Sequence, residues 1–445
     1  MREERNDARS AALRVLRQMD RAAAWADAGL DAELRRSGLA GQEAALAARL
    51  VYGVLQNRAL LDHYLGAYCS QKIDHLQKPL ADILRLGAYQ IVFLDRVPDS
   101  AAVNTSVELC RNFGRAQAAG LVNAVLRRVA ASKEELPAVP ERDTVTYLSV
   151  RYSHPKWLVR RLLTLLGREE AEGFLRSDNA PAPITVQANP LRTTPEALRA
   201  ALEAEGVTVT PGLLPGSFRL RGTGNLTRLP AFQEGLFQVQ DDAAALVTEA
   251  MGLRGGEAVL DVCAAPGGKS FRCVMAMGDK GRVVACDLYE NKLRRIEAGA
   301  KRLHFTAIET QAQDGRTFRP EWESAFDAVL VDAPCSGLGI IRKKPEIRYK
   351  KPDELFSLPV VQTAILENAG RYVKPGGLLL YSTCTVLPEE NGQVTDEFLA
   401  GHPDFRREGF ALPEPIGDIP EGQITLWPQR QGTDGFYICR MRKAI

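Results

Sequence analysis

The sequence lacks the cysteine and histidine patterns that mark metal-binding and disulfide-rich proteins. Its eight cysteines contain no C-x-x-C pair and have no histidine at ligand spacing; they occupy positions 69, 110, 263, 273, 286, 335, 384 and 439. The five histidines form no paired motif. We therefore expect free thiols, no bound metal and no catalytic histidine.

Long apolar runs and a strong net charge are also missing. No stretch reaches the ~18 apolar residues of a membrane span, and the first twenty residues interleave charged and apolar side chains instead of forming a signal sequence. The formal charge is +2, too small to indicate a nucleic-acid partner, although it can hide local patches. A composition of 45% hydrophobic and 25% charged residues is typical of a folded protein. We expect a cytoplasmic protein without a membrane partner.

The first third of the chain is predicted to be helical. Apolar residues recur at helical spacing, as at Ile83, Leu86 and similar positions, and predict an all-α domain over residues 1–130. Asn104 or Thr105 is placed to cap one of its last helices. Residues 1–130 hold 18 Lys/Arg against 14 Asp/Glu, a difference of +4. On charge alone, an RNA surface and an ordinary solvated surface are equally compatible with these residues.

The middle of the chain begins with a predicted linker, "ASKEELPAVPERDT". Residues 145–235 then combine helical patterns with short strands, one in "APITVQANPLR" and a β pair in "VTVTPGLLPGSFRLRG". In "TPEALRAALEAEG", Thr194 is predicted to cap a helix that starts with proline. This region is predicted to be a small α+β domain.

Strands alternate with helices over residues 236–445, and Asp241 is predicted to cap the first of these helices. The alternation predicts a doubly wound, Rossmann-like α/β domain that binds ligands at the carboxyl ends of its strands. The segments "QITLWP" and "DGFYICRMR" are expected to form an antiparallel pair at the sheet edge.

The segment "LDVCAAPGGKS" follows the first strand of this domain. Its ending imitates a phosphate-binding loop, but Cys263 stands where that motif needs glycine, which argues against a nucleotide triphosphatase. Gly267 and Gly268 allow a ligand to approach the backbone, and the next helix can receive a carboxylate. A tight turn without a ligand explains this segment equally well.

Acidic residues follow the later strands and decide between these interpretations. A single Asp at a strand end is usually a helix cap, but Asp287, Asp314 and Asp332 form a series that suits an adenosyl ligand without a polyphosphate. S-adenosylmethionine fits this description. The predicted cofactor-binding residues are Cys263, Ala264, Ala265, Pro266, Gly267, Gly268, Lys269, Asp287, Asp314 and Asp332.

Four motifs in the last domain carry a family resemblance. "DVCAAPGGKS", "VDAPCSGLG", "YSTCTVLPEEN" and "DGFYICRMR" resemble, in order, the motifs of the RNA cytosine-5 methyltransferases of the Nol1/Nop2/Sun family, although Ser270 stands where many members have Thr. "AVNTSVELCRNFG" followed by "AGLVNAVLRR" resembles the NusB-type helical RNA-binding domain. The resemblance implies an RNA-binding role for the all-α domain and for the small α+β domain.

The resemblance also implies the chemistry of two thiols. It assigns Cys384 as the nucleophile that attacks C6 of cytosine and Cys335 as the residue that helps to release the product. A thiolate added at C6 breaks the aromaticity and makes C5 electron-rich enough to accept a methyl group. The residues alone do not decide which thiol attacks. Asp332 is left with two roles, contact with the cofactor and contact with the cytosine edge.

A basic segment, "IIRKKPEIRYKK", follows the motif of Cys335 and holds six basic residues against one Glu. A solvated loop is the usual meaning of such a run, but beside a base pocket phosphate contact is favoured, with Tyr349 available for stacking. The predicted RNA-binding residues are Arg342, Lys343, Lys344, Arg348, Lys350 and Lys351.

Together, these patterns predict an S-adenosylmethionine-dependent RNA cytosine-5 methyltransferase that acts as a monomer on 16S ribosomal RNA. A tRNA substrate is an alternative, because the catalytic motifs do not encode the target. A non-catalytic RNA-binding assembly factor is a second alternative, which the presence of both cysteines disfavours.

Overall fold

A computed structural model describes residues 6–22 and 26–445 of the chain. Residues 1–5 and 23–25, which fall in the predicted all-α region, lie outside the described residues. The chain divides into two compact units. The first comprises Met1–Ala180 and Ile341–Lys350, and the second comprises Pro181–Ile340 and Lys351–Ile445.

The described part of the first unit is helical. Helix α4 is buried around most of its circumference, because its sequence is apolar on nearly every face; Ile83 and Leu86 are both buried there, as expected. The helices are α1 (Ala8–Ala22), α2 (Ala26–Ser37), α3 (Gly41–Tyr68), α4 (Lys78–Phe93), α5 (Asp99–Asn112), α6 (Ala119–Ala131), α7 (Thr144–Arg151) and α8 (Lys156–Asn179). The boundary predicted between residues 130 and 145 falls inside this compact unit.

One local prediction for this unit was wrong. Asn104 and Thr105 do not cap a helix, because α5 already starts after Pro98 and Thr105 donates its hydroxyl to the carbonyl of Ala101 one turn earlier. The span Lys156–Asn179, labelled α8, consists of two helices that meet at Gly167, where the backbone is not helical. Gly167 has a φ of 75°, a conformation that glycine adopts without a Cβ clash.

The second unit begins with a four-stranded antiparallel sheet in the order β2-β3-β1-β4. Thr194 caps α9 by accepting a hydrogen bond from the amide of Ala197, and Pro195 occupies the first turn, so the predicted helix start is confirmed. The elements are β1 (Ile184–Ala188), α9 (Pro195–Ala204), β2 (Thr208–Pro211), β3 (Ser217–Arg221), α10 (Pro230–Gln233) and β4 (Phe237–Val239).

A larger sheet forms the rest of the second unit, with the order β10-β14-β9-β8-β5-β6-β7 and β13 paired to β14. The strands are β5 (Ala258–Asp261), β6 (Arg282–Asp287), β7 (Ile308–Ala312), β8 (Phe326–Asp332), β9 (Val373–Thr383), β10 (Phe405–Arg407), β13 (Gln423–Leu426) and β14 (Phe436–Lys443). A separate antiparallel pair consists of β11 (Phe410–Leu412) and β12 (Gly417–Ile419). The predicted antiparallel pairing of the last two segments is confirmed, but β14 lies inside the sheet, between β9 and β10.

Helices accompany this sheet in the alternating order that the sequence predicts. Asp241 caps the first of them by accepting from the amide of Ala243, as expected. The helices are α11 (Asp242–Met251), α12 (Gly268–Ala276), α13 (Glu290–Leu303), α14 (Pro352–Phe356), α15 (Leu358–Tyr372), α16 (Gly392–Gly401) and α17 (Pro428–Gln431). None of the helices in the described parts of the chain is long and apolar enough to span a bilayer.

The strand order determines where the candidate site lies in the second unit. Strands β5 to β9 are parallel to one another, and β8 lies on the other side of β5 from β6 and β7. The chain therefore reverses its direction of winding between β5 and β8. Such a switch point leaves a crevice at the carboxyl ends of the strands, where α/β proteins bind ligands.

Candidate active site

The two cysteines of the strand-end motifs meet at this crevice. Cys335 follows β8 and Cys384 follows β9, and these parallel neighbours are in register at Asp332 and Ser382. Each thiol comes two or three residues after this register pair, so the sulfur atoms face each other at a distance of 3.3 Å. Both side chains are partly buried. Two similar sequence motifs thus form one site.

The two thiols are not equivalent. The hydrogen bond to Cys384, together with burial, raises the pKa of the Cys335 thiol well above its ordinary value. A Cys335 thiol that keeps its proton at neutral pH can donate it to the sulfur of Cys384.

A lysine and an aspartate lie beside the thiols. The ammonium of Lys269 is 2.7 Å from Oδ2 of Asp332, and the hydroxyl of Ser382 donates to Oδ1 of the same carboxylate at 2.9 Å. Burial opposes the charge of Lys269, but the carboxylate of Asp332 and the nearby Cys384 raise the pKa of the ammonium overall. The crevice therefore contains a fixed positive charge close to Cys384.

Asp261 is a site residue that sequence reasoning missed. It is fully buried at the end of β5, and Ser270 donates a hydrogen bond of 2.6 Å to its Oδ2. Its Oδ1 has no hydrogen-bond partner among the described residues. Burial raises the pKa of Asp261 to about 7. The signal was present in the sequence, because Asp261 ends its strand as Asp287 and Asp332 end theirs.

The predicted cofactor loop turns between β5 and α12. Gly267 has a φ of 107°, and a Cβ at this position would lie 2.7 Å from the ring of Phe271, so the turn requires glycine twice over. Cys263 in this loop is half-buried, and desolvation raises the pKa of its thiol well above the ordinary value.

The remaining acidic strand ends differ in their surroundings. Asp287 is 8% exposed at the end of β6, where it accepts from the amide of Tyr289 and lies 3.3 Å from the ammonium of Lys292. Asp314, after β7, is already bound by the guanidinium of Arg316 at 2.7 and 3.0 Å, and this pairing lowers the pKa of Asp314. Asp287 is therefore a better candidate for ligand binding than Asp314, whose carboxylate is already occupied by Arg316.

Comparison with known proteins decides the family. The model of the 16S rRNA methyltransferase RsmB/F matches residues 249–442, that of the NusB family matches residues 6–131, and that of the ferredoxin-like domain of RsmF/B-like methyltransferases matches residues 154–227. A probable ribosomal RNA small subunit methyltransferase B of Bacillus subtilis is 36% identical over 98% of both chains. The chain belongs to the RsmB family of rRNA methyltransferases.

Two further relatives agree with this assignment. A probable small subunit methyltransferase B of Synechocystis is 34% identical over 98% of this chain and 99% of its own. The crystal structure of PH0851 superposes with a TM-score of 0.81 at 27% identity, covering 99% of both chains. The predicted family and RNA methyltransferase class are confirmed, as is the fold class with its helical, α+β and Rossmann-like parts.

Both arginines in the basic segment of this methyltransferase are buried. Residues Ile341–Lys350 belong to the helical unit, where Arg348 is fully buried and Arg342 is 8% exposed. One Arg348 nitrogen donates to the carbonyls of Gln56, Tyr152 and Ser153 and to the side chain of Asn179, at 3.0 to 3.2 Å. The contacts of Arg348 inside the helical unit disfavour a phosphate contact by this residue, whereas RNA contact by Arg342 stays a prediction.

The rest of the segment divides by exposure. Lys351 is exposed, whereas Lys343, Lys344 and Lys350 are half-buried. The ring of Tyr349 lies 5.5 Å from the guanidinium of Arg58, and its hydroxyl donates to the carbonyl of Leu55. Tyr349 is thus already engaged within the helical unit, and the lysines remain the candidates for RNA contact.

Proposed function

We propose that this protein methylates C5 of a cytosine in 16S ribosomal RNA, with S-adenosylmethionine as the methyl donor, and that it acts as a monomer in the cytoplasm. The observation that carries the proposal is the pair of thiols 3.3 Å apart, in the switch-point crevice of an RNA methyltransferase. The names of the relatives, small subunit methyltransferase B, favour small-subunit RNA over tRNA.

The residues of the crevice fit the proposed donor. Asp261 offers a buried acceptor atom without a protein donor among the described residues, and Asp287 offers a carboxylate suited to ribose hydroxyls. The turn at Gly267 and the amino end of α12 suit a carboxylate. When bound, S-adenosylmethionine supplies an electrophilic methyl group on its sulfonium.

The two thiols divide the remaining work in this proposal. The Cys384 thiolate adds to C6 of cytosine, and the electrons of the 5,6 double bond become available at C5 for the new carbon bond. Loss of the C5 proton to a base then restores the double bond, and Cys384 leaves as a thiolate. Cys335 assists this last step, because its protonated thiol lies within reach of the departing sulfur.

The test uses one substitution at each thiol. Cys384→Ser should form no covalent RNA adduct and transfer no methyl group, because a serine hydroxyl has no comparable ionised population at neutral pH. Cys335→Ser should methylate once and release poorly, so that a denaturation-resistant protein–RNA complex accumulates. The adduct is measured on denaturing gels and methyl transfer with labelled S-adenosylmethionine and 16S RNA.

Cys69→Ser, a thiol of the helical unit, is the matched control and should behave like the unaltered enzyme. If Cys384→Ser accumulates the adduct and Cys335→Ser abolishes it, the two roles are reversed. If both variants methylate normally, the covalent mechanism is wrong. Labelling of tRNA but not of 16S RNA would overturn the proposed substrate.

A further inference from the structure

The backbone on both sides of Cys335 is held by two buried side chains. The amide nitrogen of Gln362, on α15, donates to the carbonyl of Pro334 at 2.9 Å, and Oε2 of Glu390 accepts from the amide of Ser336 at 2.8 Å. Gln362 also donates to the same Glu390 oxygen at 3.0 Å. Gln362 is fully buried and Glu390 is 2% exposed. The residues before and after Cys335 are thus tied to one continuous polar cluster.

The next residue in the chain holds Cys384 in the same way. Oδ1 of Asn391 accepts from the hydroxyl of Thr383 at 2.5 Å, and its Nδ2 donates to the carbonyl of Thr385 at 3.1 Å. Thr383 and Thr385 are the two neighbours of Cys384. Asn391 is 2% exposed, so this contact is also protected from water.

A third set of contacts joins the two cysteine loops. The hydroxyls of Ser336 and Thr385 are 2.7 Å apart, and the amide of Gly339 donates to the carbonyl of Cys384 at 3.0 Å. Both hydroxyls are fully buried. The thiols themselves are less buried than the groups that hold them. The arrangement places rigid support behind two side chains that face the crevice.

We infer that Glu390 and Asn391 are positioning residues that set the distance between the two thiols, with Glu390 and its partner Gln362 holding Cys335 and Asn391 holding Cys384. Buried polar groups keep their hydrogen-bond partners because an unmade bond is costly there, so each side chain fixes its loop strongly. A displacement of about 1 Å at a reacting group can cost on the order of 100-fold in rate. The inference rests on the proposed function for its catalytic consequences, but not for the thiol spacing itself.

The spacing can be measured without RNA. Diamide, an azo oxidant, converts two neighbouring thiols to a disulfide: the sulfurs join, and the azo group takes up the two protons and two electrons to become a hydrazine. With the sulfurs 3.3 Å apart, we expect rapid formation of the Cys335–Cys384 bond, identified by mass spectrometry of the linked peptides. Gln362→Leu and Asn391→Ala should each slow this reaction by about tenfold or more, because one thiol then samples a wider range of positions.

Glu397→Gln provides the matched control, because this exposed carboxylate lies on α16, the helix that follows Asn391. It should oxidise at the rate of the unaltered protein. If Gln362→Leu and Asn391→Ala also oxidise at that rate, the positioning role is overturned. Should either variant fail to fold by circular dichroism, Glu390→Asp shortens the side chain whose one oxygen accepts both bonds, and Asn391→Asp keeps only the bond from Thr383. Both should give intermediate rates; unchanged rates there overturn the inference equally.

The RNA assay then tests which side chain positions which thiol. Gln362→Leu should accumulate the covalent adduct, as expected for a displaced Cys335, whereas Asn391→Ala should form less adduct, as expected for a displaced Cys384. Equal loss of adduct in both variants would overturn this division. If the unaltered protein forms no adduct and transfers no methyl group, the proposed function fails, while the diamide rates still decide whether Glu390 and Asn391 set the spacing.

Discussion

Asp261, Asp287 and Asp332 end three strands of one sheet, yet each carboxylate meets different neighbours. Asp261 is fully buried and bonded to a hydroxyl, Asp287 is 8% exposed and accepts from the amide of Tyr289, and Asp332 is paired with Lys269. Desolvation favours the neutral form of a carboxyl group, whereas a cation favours the charged form. Residues in equivalent places along the sequence thus acquire different chemistry.

The raised pKa of Asp261 predicts a pH effect on stability. A pKa of about 7 in the folded protein, against about 3.9 in the unfolded chain, means that the folded state binds more protons between these values, so the free energy of unfolding falls as the pH rises. Between pH 5 and pH 8 the unaltered protein should lose about 3 kcal/mol relative to Asp261→Asn. Urea unfolding of both proteins measures this difference; parallel pH profiles would contradict it.

Asp287 is the carboxylate with the stronger case for cofactor contact. Asp287→Ala should remove charge-assisted hydrogen bonds of about 1.5–3 kcal/mol, which weakens S-adenosylmethionine binding roughly 10- to 100-fold in calorimetry. Asp314→Ala should have a smaller effect, because Arg316 already occupies that carboxylate. Asp31→Ala, an exposed residue of α2, is the control. An unchanged affinity in Asp287→Ala would refute the assignment.

At the scale of elements, the turn between β5 and α12 shows how a strand and a helix are brought together around a ligand crevice. Gly267 combines a positive φ with close contact to Phe271, which lies one turn into the same helix. Gly278, just beyond the other end of α12, also has a positive φ of 65°, but no atom lies within 4 Å of the place that a Cβ would occupy there. Alanine at Gly278 would therefore meet backbone strain alone, whereas alanine at Gly267 would meet both backbone strain and a steric clash.

Alanine at these positions should therefore have unequal costs. Gly278→Ala should lower the free energy of unfolding by about 1–2 kcal/mol, the cost of a left-handed conformation. Gly267→Ala should lower it by about 1–3 kcal/mol more, because the added methyl group collides with the ring of Phe271. Chemical denaturation measures both values. Equal losses would show that Phe271 moves aside without cost.

At the scale of the whole molecule, packing divides one basic segment into buried and more exposed side chains that its sequence does not distinguish. Arg348 is buried among backbone carbonyls of the helical unit, whereas Lys350 is half-buried and Lys351 is exposed. The planar guanidinium can serve several carbonyls at once, which suits an internal position. Lysine ammonium groups near the surface suit a diffuse contact with phosphate.

Substitution should distinguish the four lysines of this segment from its buried arginine. Replacing Lys343, Lys344, Lys350 and Lys351 together with Gln should reduce the log–log salt slope of RNA binding by roughly 0.7–0.9 for each phosphate that the protein no longer neutralises, with cofactor affinity unchanged. Arg348→Met should instead lower the free energy of unfolding by about 3 kcal/mol, because several buried carbonyls lose a charged donor. An unchanged salt slope in the quadruple variant would identify these lysines as ordinary surface residues.

The sequence by itself determined the architecture and the reaction class. The alternation of strands and helices after residue 236 and the caps at Thr194 and Asp241 depend on local periodicity and short-range hydrogen bonds. The motifs around Cys335 and Cys384 indicate the reaction class through their resemblance to a known family. Such signals are complete within a few residues, so they can be read along the chain.

Only the tertiary structure decided which of these residues meet. Strand register brings Cys335 and Cys384 within 3.3 Å, and the packing of α15 brings Gln362 to Glu390. Burial turned Arg348 from an expected surface cation into an internal donor and raised the pKa of Asp261. Burial and contact between distant segments depend on the packing of the whole chain, and no local pattern specifies them.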